Sequence, residues 1–313
     1  MDISNPFISV DYWLTKADVL IDSSYKNKTA NYGYDNELIE MYEKKESPII
    51  LVKTDLLEQY IDKLLNLQKD FRLITTSNDD HCIPYMSIPH SNNTLKEKAD
   101  KLLQKKELQV WFCKNPGINH YKLIGYPLGP KWQWKTTRFF GESKEEHLKI
   151  YKKLCNEPGT KLLNKNNEKT ELLYFNFNQT TNNPLFSEHK NIRHKVKNTF
   201  VKLGHKWNEA EPFEKYMETL CKHKFAISPP GRGIDTHRAW EALMMGTIPI
   251  IESTTLDHLF EKLPCIIIKD EKEYETLTSD KLNDIYKNII EKAKNNKYCF
   301  DIMYTQFWDK VLK

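Results

Sequence analysis

The sequence predicts an α/β protein of two doubly wound, Rossmann-like domains facing each other across a central cleft. Three observations lead there. The chain has 313 residues, enough for two domains that each bury a core. Short, continuous apolar runs alternate with segments whose apolar residues recur at helical spacing, the pattern of a parallel sheet covered by helices. That alternation occurs twice, with the polar stretch 156–169 between the two series. The expected boundaries are therefore 1–160 and 161–313, with the last helix able to pack back on the first domain.

Taken in order, the first forty-odd residues are aromatic and polar with weak periodicity, and are expected to pack on the first domain. Pro48-Ile-Ile-Leu-Val52 is a short apolar run suited to a strand buried on both faces. Asp55 to Leu67 carries Leu57, Ile61, Leu64 and Leu65 at helical spacing, and Phe71 to Thr75 is the next strand. A Lys-rich helix near Leu95–Gln104 leads to strand Leu108–Cys113, and a short strand lies near Tyr121–Ile124. The second series follows a helix at Lys144–Leu154. It reads as strand Glu171–Phe177, helices Ser187–Leu203 and Glu211–Cys221, strand Lys224–Ser228, helix Thr236–Met245 and strand Thr247–Ile251. Helix Thr255–Leu263, strand Cys265–Ile268 and a long helix at Ser279–Lys294 complete it.

Composition narrows the class. Hydrophobic residues make up 39% and charged residues 29%, which is globular and not disordered. The net charge of +4, from 47 basic and 43 acidic residues, suits an anionic small molecule but equally fits no special partner, whereas a nucleic-acid binder needs a concentrated basic patch. No apolar run approaches the roughly 20 residues that span a bilayer, and the start lacks a signal-peptide pattern. A soluble, cytoplasmic protein is the expectation. The six cysteines are scattered with no Cys-x-x-Cys pair, as buried thiols in a reducing compartment would be.

The chemistry concentrates between Ser228 and Gly246. An apolar strand runs into Ser228-Pro229-Pro-Gly231-Arg232-Gly233, then into a helix that stops at Gly246, then into another apolar strand. Ligands of open α/β sheets sit beyond the carboxyl ends of strands, where this loop falls. Gly231 and Gly233 can take backbone angles closed to other residues and admit a close ligand. Asp235 or Thr236 can cap the helix, whose first N–H groups favour an anion such as a diphosphate. Arg232 and Arg238 add cationic forks suited to phosphate oxygens. Arg238 and Glu241 share a helical stripe, so the carboxylate either accepts hydrogen bonds from ribose hydroxyls or pairs with Arg238 on a solvated face.

The ordered elements Pro229-Pro-Gly-Arg-Gly233, Thr236-His-Arg238, Glu241-Ala-Leu243 and Gly246-Thr-Ile-Pro249 resemble the C-terminal signature of exostosin-type (family 47) glycosyltransferases. Looser similarity touches Leu73–Asp80, Trp111–Asn115, Leu123–Gly129 and Arg193. The resemblance implies a GT-B-like fold and an inverting transfer from a nucleotide-sugar donor, usually a UDP-sugar, to a carbohydrate or glycoconjugate acceptor. It also implies that the co-substrate is the only small molecule required, with no metal or other cofactor. On that basis the donor-binding set is Arg193, Ser228, Pro229, Gly231, Arg232, Gly233, Asp235, Thr236, His237, Arg238 and Glu241.

An inverting transferase needs a base for the acceptor hydroxyl, and Asp80 or Asp79, beside His81 after a first-domain strand, can supply it. The same residues also suit an Asn/Asp-rich turn. Arg193 precedes Lys195 and Lys197 on a helix that either reaches the diphosphate or forms a solvated basic face. Aromatic residues in Trp111–His120 and Tyr126–Trp134 serve either as acceptor platforms or as core. A dinucleotide-dependent oxidoreductase is disfavoured because Lys53-Thr-Asp55, after the first strand, has no glycine. A non-catalytic nucleotide- or glycan-binding protein of the same fold is the remaining alternative.

Overall fold

The structure is a computed structural model, and it describes residues 7–21, 42–76, 93–131, 144–155, 162–163, 169–181 and 192–313. The chain divides into two compact units. Among the described residues, one unit lies within 10–126 and the other within 127–313, joined by residues 7–9. The division therefore falls earlier than the polar stretch near residue 160. Helix α4 (Lys144–Leu154, in the numbering used below) belongs to the second unit.

The first unit holds helix α1 (Val10–Leu14), strands β1 (Val19–Ile21) and β2 (Ile49–Lys53), helix α2 (Leu57–Asn66) and strand β3 (Phe71–Thr76). Helix α3 (Asn93–Gln104) and strands β4 (Leu108–Cys113) and β5 (Leu123–Gly125) complete it. The five strands form one parallel sheet in sequence order. Side chains alternate across a strand, so Ile50, Val52, Leu73 and Trp111 meet α2 and α3 through Leu57, Ile61, Ala99 and Leu102. Trp13 covers the opposite side, with its ring centroid 4.2 Å from Tyr126 and 5.6 Å from Phe112. Strand β1 escaped the sequence reading because Val19-Leu-Ile21 is too short for any periodicity to register, yet it pairs with β2 from Val19↔Ile50 onward.

The second unit contains β6 (Glu171–Tyr174), α5 (Ile192–Lys202), α6 (Phe213–Lys222), β7 (His223–Ile227), α7 (His237–Met244) and β8 (Ile248–Glu252). Helix α8 (Asp257–Phe260), β9 (Ile266–Ile268), α9 (Ser279–Lys294) and α10 (Thr305–Val311) follow. Its four strands are again parallel and in sequence order. Phe225, Ile227, Ile248 and Ile250 pack against α5 and α9 through Val196, Phe200, Leu282 and Ile289. Ala239, Trp240, Ala242 and Leu243 of α7 are buried as well. With both faces covered, Phe225-Ala-Ile227 of β7 and Ile248-Pro-Ile-Ile251 of β8 read as continuous apolar runs, which is why they were legible. The architecture is thus α/β with two Rossmann-like parallel sheets, as predicted. No helix among the described residues is long and apolar enough to cross a membrane.

The start of the chain departs from expectation. Ile8 N–H donates to Met303 O at 2.8 Å and Phe7 bridges to Tyr304, so Phe7–Ser9 belong to the second unit. Gly129, with φ +74°, passes so close that a Cβ there would lie 2.2 Å from Ile8 O.

Candidate functional site

The site is built where β7 ends. Ser228 N–H donates to Ile250 O at 2.9 Å, extending the β7–β8 pairing by one residue before the loop 229–235 breaks away. Gly231 N–H then donates to Gly233 O at 3.0 Å, closing a tight turn, and α7 begins at His237. The first amides of any helix lack partners within it, so α7 opens its positive end at the carboxyl edge of the sheet. The other end stops as the sequence suggests. Gly246 has φ +65°, its N–H meets Leu243 O at 3.1 Å, and Thr247 N–H meets Ala242 O at 2.8 Å. Lys169, from the polar stretch, secures the same end: its buried Nζ donates to Cys221 O (2.7 Å), Met245 O (2.9 Å) and Thr247 Oγ1 (3.1 Å).

Arg193, in the first turn of α5, points inward and is only 7% exposed. Its Nε donates to Pro230 O at 2.7 Å, Nη1 to Asn178 O at 2.7 Å and Nη2 to Pro229 O at 3.3 Å. The guanidinium also lies 5.7 Å from the Phe177 ring centroid. All three acceptors are neutral carbonyls, so the charge is held in place without being neutralised. Burial, and secondly the positive charge of Arg238, push its pKa down to about 10. It is still protonated at neutral pH, and the direction of the shift records a cation in poor surroundings for one.

Arg238 is half-buried on α7, with its guanidinium carbon 6.0 Å from the Tyr216 ring centroid. Its Nε is enclosed without a hydrogen-bond acceptor among the described residues. Neither Arg193 nor Arg238 has a carboxylate within ion-pair distance among those residues. Two hydroxyls of the same strand–loop–helix are also without partners among the described residues. Ser228 Oγ, on a residue 3% exposed, and Thr236 Oγ1 are both enclosed without partners. They line one narrow crevice with Pro230, Ala239, Ile251 and Phe260, and with the acidic residues Asp235 and Glu252; Arg193 and Arg238 are not among its lining residues.

Other expectations need revision. Gly231 and Gly233 do not have positive φ. The constraint at Gly231 is space, since a Cβ there would sit 2.8 Å from Arg193 Nη2. The close neighbour is thus an arginine of the same chain. Thr236 is the N-cap residue of α7 by backbone angle but makes no side-chain cap bond. Nor does Asp235 cap: its carboxylate accepts from Leu128 N–H (2.8 Å), Thr236 N–H (2.7 Å) and the Trp240 indole (2.8 and 2.9 Å). His237 Nδ1 lies 2.8 Å from Gly129 O; a carbonyl only accepts, so Nδ1 carries the proton. Arg232 is exposed on the loop, and Pro229 is buried and lends its carbonyl to Arg193.

Glu241 is 4% exposed, and both of its oxygens are engaged. Oε2 accepts from Tyr216 OH at 2.9 Å, and Oε1 from Lys131 N–H at 3.1 Å and Tyr151 OH at 3.5 Å. No direct ion pair joins it to Arg238 among the described residues, so the solvated-pair alternative does not hold. Nothing in the sequence marked Tyr151, Tyr216 or Lys131 as its partners, because they come from distant helices and loops.

The basic face on α5 resolves residue by residue. Lys195 pairs with Glu271 at 3.0 Å and Lys197 lies 4.4 Å from the Trp207 ring centroid, while Arg193 alone turns inward. Trp111 and Tyr126 are fully buried core and supply no acceptor platform. Trp132 and Trp134, and the candidate bases Asp79 and Asp80 with His81, lie outside the described residues.

No protein-family model matches the chain, and no curated protein does. Among solved structures it is similar to one described as trehalose-6-phosphate from E. coli bound with UDP-2-fluoro glucose. The TM-score is 0.41 at 9% identity, covering 97% of this chain and 84% of that one.

Proposed function

We propose that the protein is an inverting glycosyltransferase that takes a sugar from a nucleotide diphosphate donor, a UDP-sugar, and passes it to a hydroxyl of a carbohydrate or glycoconjugate. The observation that carries the proposal is the pair Arg193 and Arg238. Two like charges stand close enough for one to depress the pKa of the other, with no carboxylate between them among the described residues. Arg193 is anchored on the Pro229 and Pro230 carbonyls in the loop that leads into α7, Arg238 stands in the first turn of α7, and Ser228 Oγ and Thr236 Oγ1 on the same strand–loop–helix have no partner among the described residues. The arginines, the helix end and the hydroxyls are donors or positive charges that suit a diphosphate, and of the two carboxylates lining the hydroxyls' crevice, Asp235 is already held by Leu128 N–H, Thr236 N–H and the Trp240 indole. The resemblance of Pro229–Pro249 to the exostosin-type signature names the reaction.

In that reaction the acceptor oxygen attacks the anomeric carbon as the bond from that carbon to the diphosphate oxygen breaks. The acceptor proton passes to a base, for which Asp80 and Asp79 are the candidates. Negative charge grows on the departing diphosphate, where it meets Arg193, already fixed by three carbonyls, and the unpartnered Arg238, Ser228 Oγ and Thr236 Oγ1. Donors of this kind, removed singly, typically cost roughly 100- to 1,000-fold in rate. The guanidinium pair takes the part a divalent ion plays elsewhere, so chelators are expected to leave turnover intact.

The test is release of UDP from a panel of UDP-hexoses and UDP-pentoses, with and without EDTA. Turnover of at least one donor, insensitive to EDTA and lost in Arg238→Ala, supports the proposal. Binding of UDP with no turnover of any donor leaves a nucleotide-binding protein of this fold and overturns the catalytic assignment.

A further inference from the structure

Resting on the diphosphate reading above, we infer that Glu241 is a positioning residue that sets Arg238 through Tyr216, and that it does not meet the ligand's ribose. The carboxylate is enclosed and holds a set of donors supplied by the protein itself. Tyr216 OH donates to Oε2 at 2.9 Å, and Lys131 N–H donates to Oε1 at 3.1 Å. The single hydroxyl proton of Tyr151 is placed between Lys131 O at 3.1 Å and Glu241 Oε1 at 3.5 Å. Burial first, and then the charge of Glu241, push both phenols well above the ordinary tyrosine range, so they remain protonated donors across any working pH.

Tyr216 is the link to the arginine. Its hydroxyl is tied to Glu241, and the face of its ring lies 6.0 Å from the Arg238 guanidinium carbon. Tyr174 and Phe213 flank the ring at 5.4 and 6.3 Å, which fixes its plane. Arg238 and Glu241 are three apart on α7 and share a stripe, yet the connection between them runs through a side chain of α6. The difference matters for an anion site. A direct ion pair would occupy the guanidinium fork that a phosphate needs, whereas a carboxylate one ring away supplies negative potential and leaves the fork open. The Arg238 guanidinium is thereby left without a carboxylate cap among the described residues.

Binding of UDP and of inorganic pyrophosphate, measured by calorimetry in parallel, separates this role from ribose contact. Tyr216→Phe keeps the ring and its volume and removes only the hydroxyl, so it reads the linkage if Glu241→Gln folds poorly. The expectation is that Tyr216→Phe and Glu241→Gln weaken both ligands by the same factor, about tenfold for directly coupled groups. Neither variant should weaken pyrophosphate further in an Arg238→Ala background. Loss of UDP affinity with pyrophosphate unchanged, or equal binding of 2′,3′-dideoxy-UDP and UDP by Glu241→Gln but not by the parent, would assign Glu241 to the ribose and overturn the inference. If the parent protein binds neither ligand, or Arg238→Ala leaves both unaffected, the diphosphate reading itself falls and takes the inference with it.

Discussion

Replacing Gly231 with alanine tests the geometry of the site at its tightest point. The new Cβ would lie 2.8 Å from Arg193 Nη2, 3.7 Å from its Cζ and 3.6 Å from Thr181 Cγ2. Carbon and nitrogen need roughly 3.5 Å, so one of them must retreat by about 0.7 Å. The guanidinium is planar and is anchored at 2.7 Å through both Nε and Nη1, so displacing Nη2 moves the other two bonds with it. Bonds to a charged group contribute about 1.5–3 kcal/mol each. Losing or stretching one to two of them predicts a destabilisation of about 2–3 kcal/mol. For a unit of this size that is a fall in Tm of about 5–10 °C. Differential scanning calorimetry reads the first effect, and UDP calorimetry the second, a drop in affinity of about tenfold as Arg193 leaves its place. The substitution should cost nothing further in an Arg193→Ala background. Because φ at Gly231 is not positive, alanine would otherwise stabilise the loop by about 0.4–1 kcal/mol through the unfolded chain. A rise in Tm with unchanged UDP affinity would therefore refute the assigned contact.

Three other substitutions probe the frame around the site. Lys169→Met strips the cation from the ends of α6 and α7 and is expected to lower unfolding free energy by about 2–4 kcal/mol in urea, with UDP binding intact in the folded fraction. Gly129→Ala combines a positive φ with a Cβ against Ile8 O, so it should destabilise by more than Gly231→Ala in the same urea titration, and equal values would contradict the packing. His223 donates to Thr219 O at 2.7 Å, and burial holds its pKa below the ordinary histidine value. As pH falls below about 6.5 the unfolded chain takes up a proton that the folded chain resists, so stability drops by at most about 1.4 kcal/mol per pH unit from this group. His223→Gln should flatten the urea midpoint between pH 7.5 and 5.5, and an unchanged slope would remove His223 as the cause.

The fold was legible where its determinants are local. Leu108–Cys113 and Ser279–Lys294 were bounded in the sequence as they stand in the structure, because an apolar run and an apolar stripe respectively lie between polar flanks. The strand–turn–helix–strand from His223 to Glu252 was legible for the same reason, down to the glycine that ends α7. In the candidate site the sequence allowed residues to be singled out, but not their contacts. Asp235 meets an amide 107 residues earlier, and Glu241 meets groups 25, 90 and 110 residues away. Such partners are set by packing between elements, and a single sequence carries no trace of them. Gly231 shows the same thing from the other side: the residue type was informative, but the cause lies far back along the chain, in Arg193.

The central claim is that Arg193 and Arg238 together grip a diphosphate at the carboxyl end of β7. A crystal structure of the protein with UDP bound tests it most directly. The account predicts phosphate oxygens within hydrogen-bonding distance of both guanidinium groups and of Ser228 Oγ or Thr236 Oγ1, with Glu241 still held by Tyr216. UDP bound elsewhere, or bound here with its phosphates turned away from both arginines, would contradict it.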